Sequence, residues 1–131
     1  VKLDWKPDKL KKAVVADLVA NAELVGQFLQ SDARRRLLAY PDIPPRRAQG
    51  TEPRPYVGGR AYREYVAGLI GNEVIADPKG VTIIVGVRPG KSGRHHGLYI
   101  ELGSRASAPR PFLRPAVFEN ADKIVVMLAG A

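Results

Sequence analysis

From Leu10 onward the apolar residues fall at steps of three and four: Leu10, Val14, Leu18, Ala22, Val25 and Leu29. Polar Lys11, Asp17, Asn21 and Gln27 lie largely between them. That is the pattern of one buried helix face. Asp4 or Asp8 can cap its start, with Pro7 tolerated in the first turn. Gly26 costs about 1 kcal/mol inside a helix but does not stop one. The spacing predicts a helix to about Ala39, roughly 50 Å long at about 1.5 Å per residue. Such a length exceeds a small domain, so part of the helix is expected to project or to pack on another subunit. The alternative is two helices broken near Ser31-Asp32, with Ser31 capping the second.

Proline interrupts this period. Pro41 opens a loop at about 41–60 that holds Pro44, Pro45, Pro53 and Pro55 and has no period of either kind. Proline makes such a segment semi-rigid, and a loop this long in a compact domain is usually functional or disordered. Tyr62 to Ala76 is rich in aromatic and β-branched residues, with Gly68 and Gly71 inside it. It predicts a strand with a bulge, or two short strands. Asp77-Pro78-Lys79-Gly80 reads as a turn. Val81 to Val87 is the clearest strand, so the two runs predict an antiparallel hairpin. After a second basic loop, Arg88 to His96, the helical period returns from about Leu113 to Leu128. Its expected buried stripe is Ala116, Val117, Ile124, Val125 and Leu128, widened by Val126 and Met127. The predicted fold class is α+β in a single domain over 1–131: a long N-terminal helix, an antiparallel β-hairpin or small sheet, and a C-terminal helix packed on the sheet.

The most specific order in the chain runs from Gly97 to Ala116, GLYIELGSRASAPRPFLRPA. Apolar Leu98, Tyr99, Ile100 and Leu102 surround one carboxylate, Glu101, as an apolar turn that stops at Gly103. Pro109 and Pro111 keep Ser104 to Pro111 out of helix and sheet, so this part is expected to be an extended arm. Pro115 suits the first turn of a helix. Leu98, Ile100, Phe112 and Leu113 are the expected joint between arm and hairpin. Tyr99-Ile100-Glu101-Leu102-Gly103-Ser104 followed by Pro111-Phe112-Leu113-Arg114-Pro115-Ala116 resembles the neck or tail-completion (minor tail) protein family of long-tailed bacteriophages. That family carries an aromatic–x–Glu–aromatic–Gly–Thr turn and then a Pro-Phe-x-x-Pro-Ala helix start. Leu102 stands for the second aromatic here, and Ser104 for the threonine. Gly58-Gly59-Arg60-Ala61 stands where the family often has Thr-Gly-x-Leu.

The resemblance implies a virion structural protein and not an enzyme. It implies a homo-oligomeric ring, a hexamer or dodecamer, at the head–tail junction, assembled in the host bacterial cytoplasm. Partners would be other copies of the chain, head-closure proteins, and tail-terminator or tail-tube proteins. Interface residues would be Tyr99, Glu101, Gly103, Pro111, Phe112, Leu113 and Pro115.

Charge adds one element to this picture. The net charge is +8. Residues 34–63 carry eight arginines against two acids, and residues 88–115 carry six basic residues against one acid. A basic surface attracts phosphate at long range. Arg46, Arg47 and Arg54 in the first loop, with Arg88, Lys91 and Arg94 in the second, are therefore candidates to face double-stranded DNA without sequence preference. Solubility or docking of neighbouring subunits is the competing use of the same charge. A stand-alone nucleic-acid-binding domain is the alternative function, but no helix-turn-helix, zinc-finger or KH pattern is visible.

Candidate chemistry is sparse. There is no cysteine, so no disulfide framework and no thiolate metal site. His95 and His96 are adjacent in a glycine-rich loop, and zinc wants three or four ligands of suitable geometry. Gly86 to Ser92 fails the phosphate-loop spacing, because only three residues separate Gly86 from Gly90-Lys91-Ser92 and Pro89 lacks an N–H. Glu101 is expected to cap local backbone N–H groups or to pair with Arg105, Arg110 or Arg114. No cofactor, no metal and no catalytic residue is expected. No apolar run approaches the roughly 20 residues of a membrane span, and the N-terminus lacks the apolar block of a signal peptide; no membrane partner is expected.

Overall fold

A computed structural model describes residues 1–5, 12–42, 59–78, 80–103 and 108–130. The predicted N-terminal helix is a single helix, α1 (Lys12–Ala39), of 28 residues. It passes through Ser31-Asp32 without a break. Leu18, Ala22, Val25 and Leu29 are buried as the spacing predicts, and Ala33 and Leu37 continue the stripe. At about 1.5 Å per residue α1 is roughly 42 Å long. Leu10 and the side chain of Val14 lie outside what is described, as do Pro7 and Asp8. Asp4 is not at a helix start. It sits in a short strand, β1 (Lys2–Trp5).

Tyr62 to Ala67, expected as strand, belongs to a helix, α2 (Arg60–Ala67). Its spacing explains the correction: Arg63, Val66 and Ala67 are buried on one face, three and four positions apart. Arg60 Nε donates to Glu64 Oε1 at 2.8 Å along the exposed side. The helix ends at Gly68. The chain then enters β2 (Ile70–Asp77) and returns in β3 (Gly80–Val87). The two pair antiparallel in the register Ile70↔Val87 to Asp77↔Gly80. Asp77 Oδ1 accepts the Gly80 N–H at 3.0 Å, closing the expected turn. β1 adds to the other side of β3, also antiparallel, giving the order β1-β3-β2.

The helix α1 lies across one face of this sheet. Val81, Ile83 and Val85 of β3 are buried, while Thr82, Ile84 and Gly86 between them are half-exposed. Alternation of this kind places one sheet face on the core. Gly26 is the point of closest approach. A Cβ there would sit 2.6 Å from Asn72 Oδ1, and Asn72 Nδ2 in turn donates to Gln30 Oε1 of α1. The glycine tolerated by the helical pattern thus leaves room for Asn72 at the helix–sheet contact.

After β3 come α3 (His96–Leu102), α4 (Leu113–Phe118) and α5 (Ala121–Leu128). The single C-terminal helix of the sequence reading is two, and both pack chiefly on α1. Asn120 makes the break: its Nδ2 donates to Ala116 O at 2.7 Å and to Asp32 Oδ2 on α1 at 3.1 Å. The break also turns the stripe. Ala116, Val117 and Ile124 are buried, Met127 and Leu128 are half-buried, and Val125 and Val126 are exposed. The fold is α+β, with α1 as a spine gripped by the sheet, by α2 and by α4–α5.

Candidate functional site

The motif at 97–116 is not an apolar turn but a helix joined to a second helix through its one acid. Glu101, on α3, is buried at 8% exposure. Its Oε2 accepts the N–H groups of Phe112 at 2.7 Å and Leu113 at 3.0 Å, and its Oε1 accepts that of Arg114 at 3.0 Å. These are N–H groups at the start of α4, which no helical carbonyl can reach. The carboxylate supplies acceptors and opposes the helix dipole. Of the two expected roles for Glu101, the cap is the one found; its contact with Arg114 is to the backbone.

The arm between the helices is held at several points. Gly103 has φ of 81°, and a Cβ there would meet Pro109 at 2.8 Å, so the turn out of α3 requires glycine. The Arg110 N–H donates to Ile100 O at 2.8 Å. Tyr40 donates its hydroxyl to Pro111 O at 2.7 Å. Phe112 is fully buried, Ile100 is buried and Leu113 is half-buried. Leu98, the fourth expected member of the joint, is 53% exposed and takes no part in it. Pro111 is exposed and Pro115 half-buried. Residues 104–107, with Arg105, lie outside the described part.

With Ile100 and Glu101 turned inward, the other apolar side chains of α3 are left facing out. Leu98, Leu102 and Tyr99 are each about half exposed, and Phe118 of α4 is 67% exposed. Leu98, Leu102, Val87, Leu113 and Phe118 line a groove of about 760 Å³ together with His95, Glu101 and Arg114. No family model, curated protein or solved structure matches the chain.

A second surface is cationic. Arg88, Lys91 and Arg94 are all exposed on the loop between β3 and α3. The loop is folded on itself: Gly90 N–H donates to Arg94 O at 3.0 Å and Gly93 N–H to Gly90 O at 2.8 Å. It is anchored to α2 from beneath. Tyr62 hydroxyl and His96 Nδ1 are hydrogen-bonded at 2.7 Å, and the His96 ring meets Tyr62 and Tyr65 edge-on. Burial pushes the Tyr62 hydroxyl pKa above its ordinary value. His96 is thus an anchor and His95 is exposed. Among the described residues no three His, Asp or Glu side chains cluster as a metal site would need. Arg46, Arg47 and Arg54 lie outside the described residues.

Five of the eight arginines of 34–63 sit on helices. Arg34, Arg35 and Arg36 are on α1, and Arg60 and Arg63 are on α2. Arg34 donates to Ala67 O at 3.0 Å and to Ile70 O at 3.1 Å, holding the end of α2. Arg35 and Arg36 both pair with Asp32, and Arg36 also pairs with Glu119. Burial alone would raise the Asp32 pKa. Hydrogen bonds and charge from Arg36 and Arg35 outweigh it and hold the carboxyl below its ordinary value. This hub was not singled out from sequence. Its signal was an acid inside the apolar stripe with arginines three and four positions on.

Proposed function

We propose that the chain is a non-enzymatic virion structural protein that forms a homo-oligomeric ring at the phage head–tail junction and joins head-closure and tail components around the DNA channel. One observation carries the reading: the motif spends its only acid on capping α4 and presents uncovered apolar side chains from α3 beside Phe118. Contiguous exposed apolar surface of this kind fits association better than solution. The intended occupant is a second copy of the chain, since a patch that meets a different patch on the next copy closes into a ring when the rotation allows. Arg88, Lys91 and Arg94 then serve the side that faces DNA.

The test is mass by light scattering over a concentration series, for wild type and for Leu102→Asp combined with Phe118→Asp. Both residues are exposed, so the variant is expected to keep the wild-type melting temperature and to lose self-association. Association that survives the double substitution removes the groove from the interface. The exposed cationic loop favours one second reading, a small nucleic-acid-binding domain. In that case a monomer would bind duplex DNA tightly, with an affinity that falls steeply with salt and does not depend on Leu102 or Phe118.

A further inference from the structure

Two arginines are buried inside the fold. Arg63 on α2 is 2% exposed, and Arg110, in the arm before α4, is 7% exposed. A guanidinium taken out of water is costly unless it is paired and hydrogen-bonded. Arg63 is answered. Its Nη2 lies 2.8 Å from Asp42 Oδ1, and its Nη1 donates to Pro41 O. Arg110 is not. Its Nε and Nη1 are buried and make no hydrogen bond.

Among the described residues, the polar groups around it are committed elsewhere. Glu101 is the acid closest in the motif, and its oxygens are taken by three backbone N–H groups. Tyr40 spends its hydroxyl proton on Pro111 O, and Tyr62 is bonded to His96. Arg63 adds a like charge. Burial first, and then Arg63, push the Arg110 guanidinium pKa below its ordinary value. The arm cannot relax to release the side chain without breaking the Arg110–Ile100 backbone bond and moving the buried Phe112.

We propose that Arg110, with Arg63 beside it, is a receptor for a carboxylate side chain supplied by a second protein chain. Arg110 is a buried positive charge with two donor nitrogens unmet, and one negative charge placed against it would balance it. A carboxylate brings one charge and suits the planar donors of arginine. It also arrives as a small planar head on a single side-chain stem, which suits a group only 7% exposed, whereas a phosphate of duplex DNA is flanked by sugars on both sides. The proposal does not depend on the ring reading, because any acidic partner satisfies it.

The experiment follows arginine Nε–H signals by NMR in the full chain, with acetate as the probe and chloride as the ionic-strength control. Arg110 is assigned through Arg110→Met, which removes the charge and keeps the stem, or by backbone-linked assignment if that variant does not fold. A saturable shift of the Arg110 Nε–H with acetate, and none with chloride, is expected. Inorganic phosphate is the second arm: a shift with phosphate and none with acetate overturns the carboxylate assignment, and no shift with either overturns the site. Thermal melting supplies an independent sign. In chloride, Arg110→Met should melt at or above wild type, because it deletes an unanswered buried charge. A variant that folds but melts several degrees lower shows that the arginine serves this fold alone, and the proposal fails.

Discussion

Replacing Glu101 by alanine removes both oxygens that organise the start of α4. Three backbone N–H groups lose their acceptor. The Phe112 N–H is buried, so water does not replace the carboxylate there, and leaving it unsatisfied costs about 1–3 kcal/mol. The N–H groups of Leu113 and Arg114 are partly buried and can recover water, so their loss resembles that of an ordinary cap, about 0.5–2 kcal/mol. The sum is on the order of 3 kcal/mol. For a chain of this length that corresponds to a fall in melting temperature of roughly 10 °C. Glu101→Gln is the sharper variant. Its carbonyl can keep Phe112 and Leu113, but its amide turns a donor toward the Arg114 N–H, so it should lose about 1–2 kcal/mol. Urea denaturation followed by far-UV circular dichroism reads both. The order wild type, Gln, Ala is required. A Glu101→Ala protein within about 0.5 kcal/mol of wild type, the range of an ordinary surface change, would refute the cap as the joint of the motif.

Gly26→Ala should destabilise despite alanine's advantage of about 1 kcal/mol in a helix, because its Cβ collides with Asn72; in an Asn72→Ala background the same substitution should turn neutral or stabilising, as measured by a double-mutant cycle. Phe112→Ala should cost about 3–5 kcal/mol from a fully buried ring, read as a lower urea midpoint. Asp32 is depressed from an ordinary value of 3.8, so its contribution is complete above that pH and is lost as pH falls through the lower folded value. Asp32→Asn should lower stability at neutral pH and flatten the acid limb of the stability–pH curve; an acid limb unchanged in slope would contradict the hub.

The sequence made some elements legible and hid others for physical reasons. The helix α1 was readable because its apolar spacing holds over many turns, and β3 because β-branched residues crowd it. The helix α2 was hidden by its own composition. Tyr62, Tyr65 and Val66 are good strand residues, and the helical spacing only emerges once a charged residue, Arg63, is accepted on the buried face. Strand β1 is four residues long and exists because β3 offers it an edge, a long-range cause that local pattern does not carry. The break at Asn120 likewise has a long-range part, the bond to Asp32 88 positions away, beside the local bond to Ala116 O. In the motif, the order of residues pointed to Glu101 and Phe112, and both are central to the joint. Which apolar neighbours turn outward was decided by α3 being helical, and that left Leu98 and Leu102 in the groove instead of the core.

The ring reading is tested most directly by electron cryomicroscopy of purified particles of a phage whose genome encodes this chain. The account predicts density for the chain as a closed ring at the head–tail junction, with Leu98, Leu102 and Phe118 seated against the adjacent copy and Arg88, Lys91 and Arg94 toward the channel. Particles that lack the chain, or that hold it as isolated copies with this groove open to solvent, would contradict it.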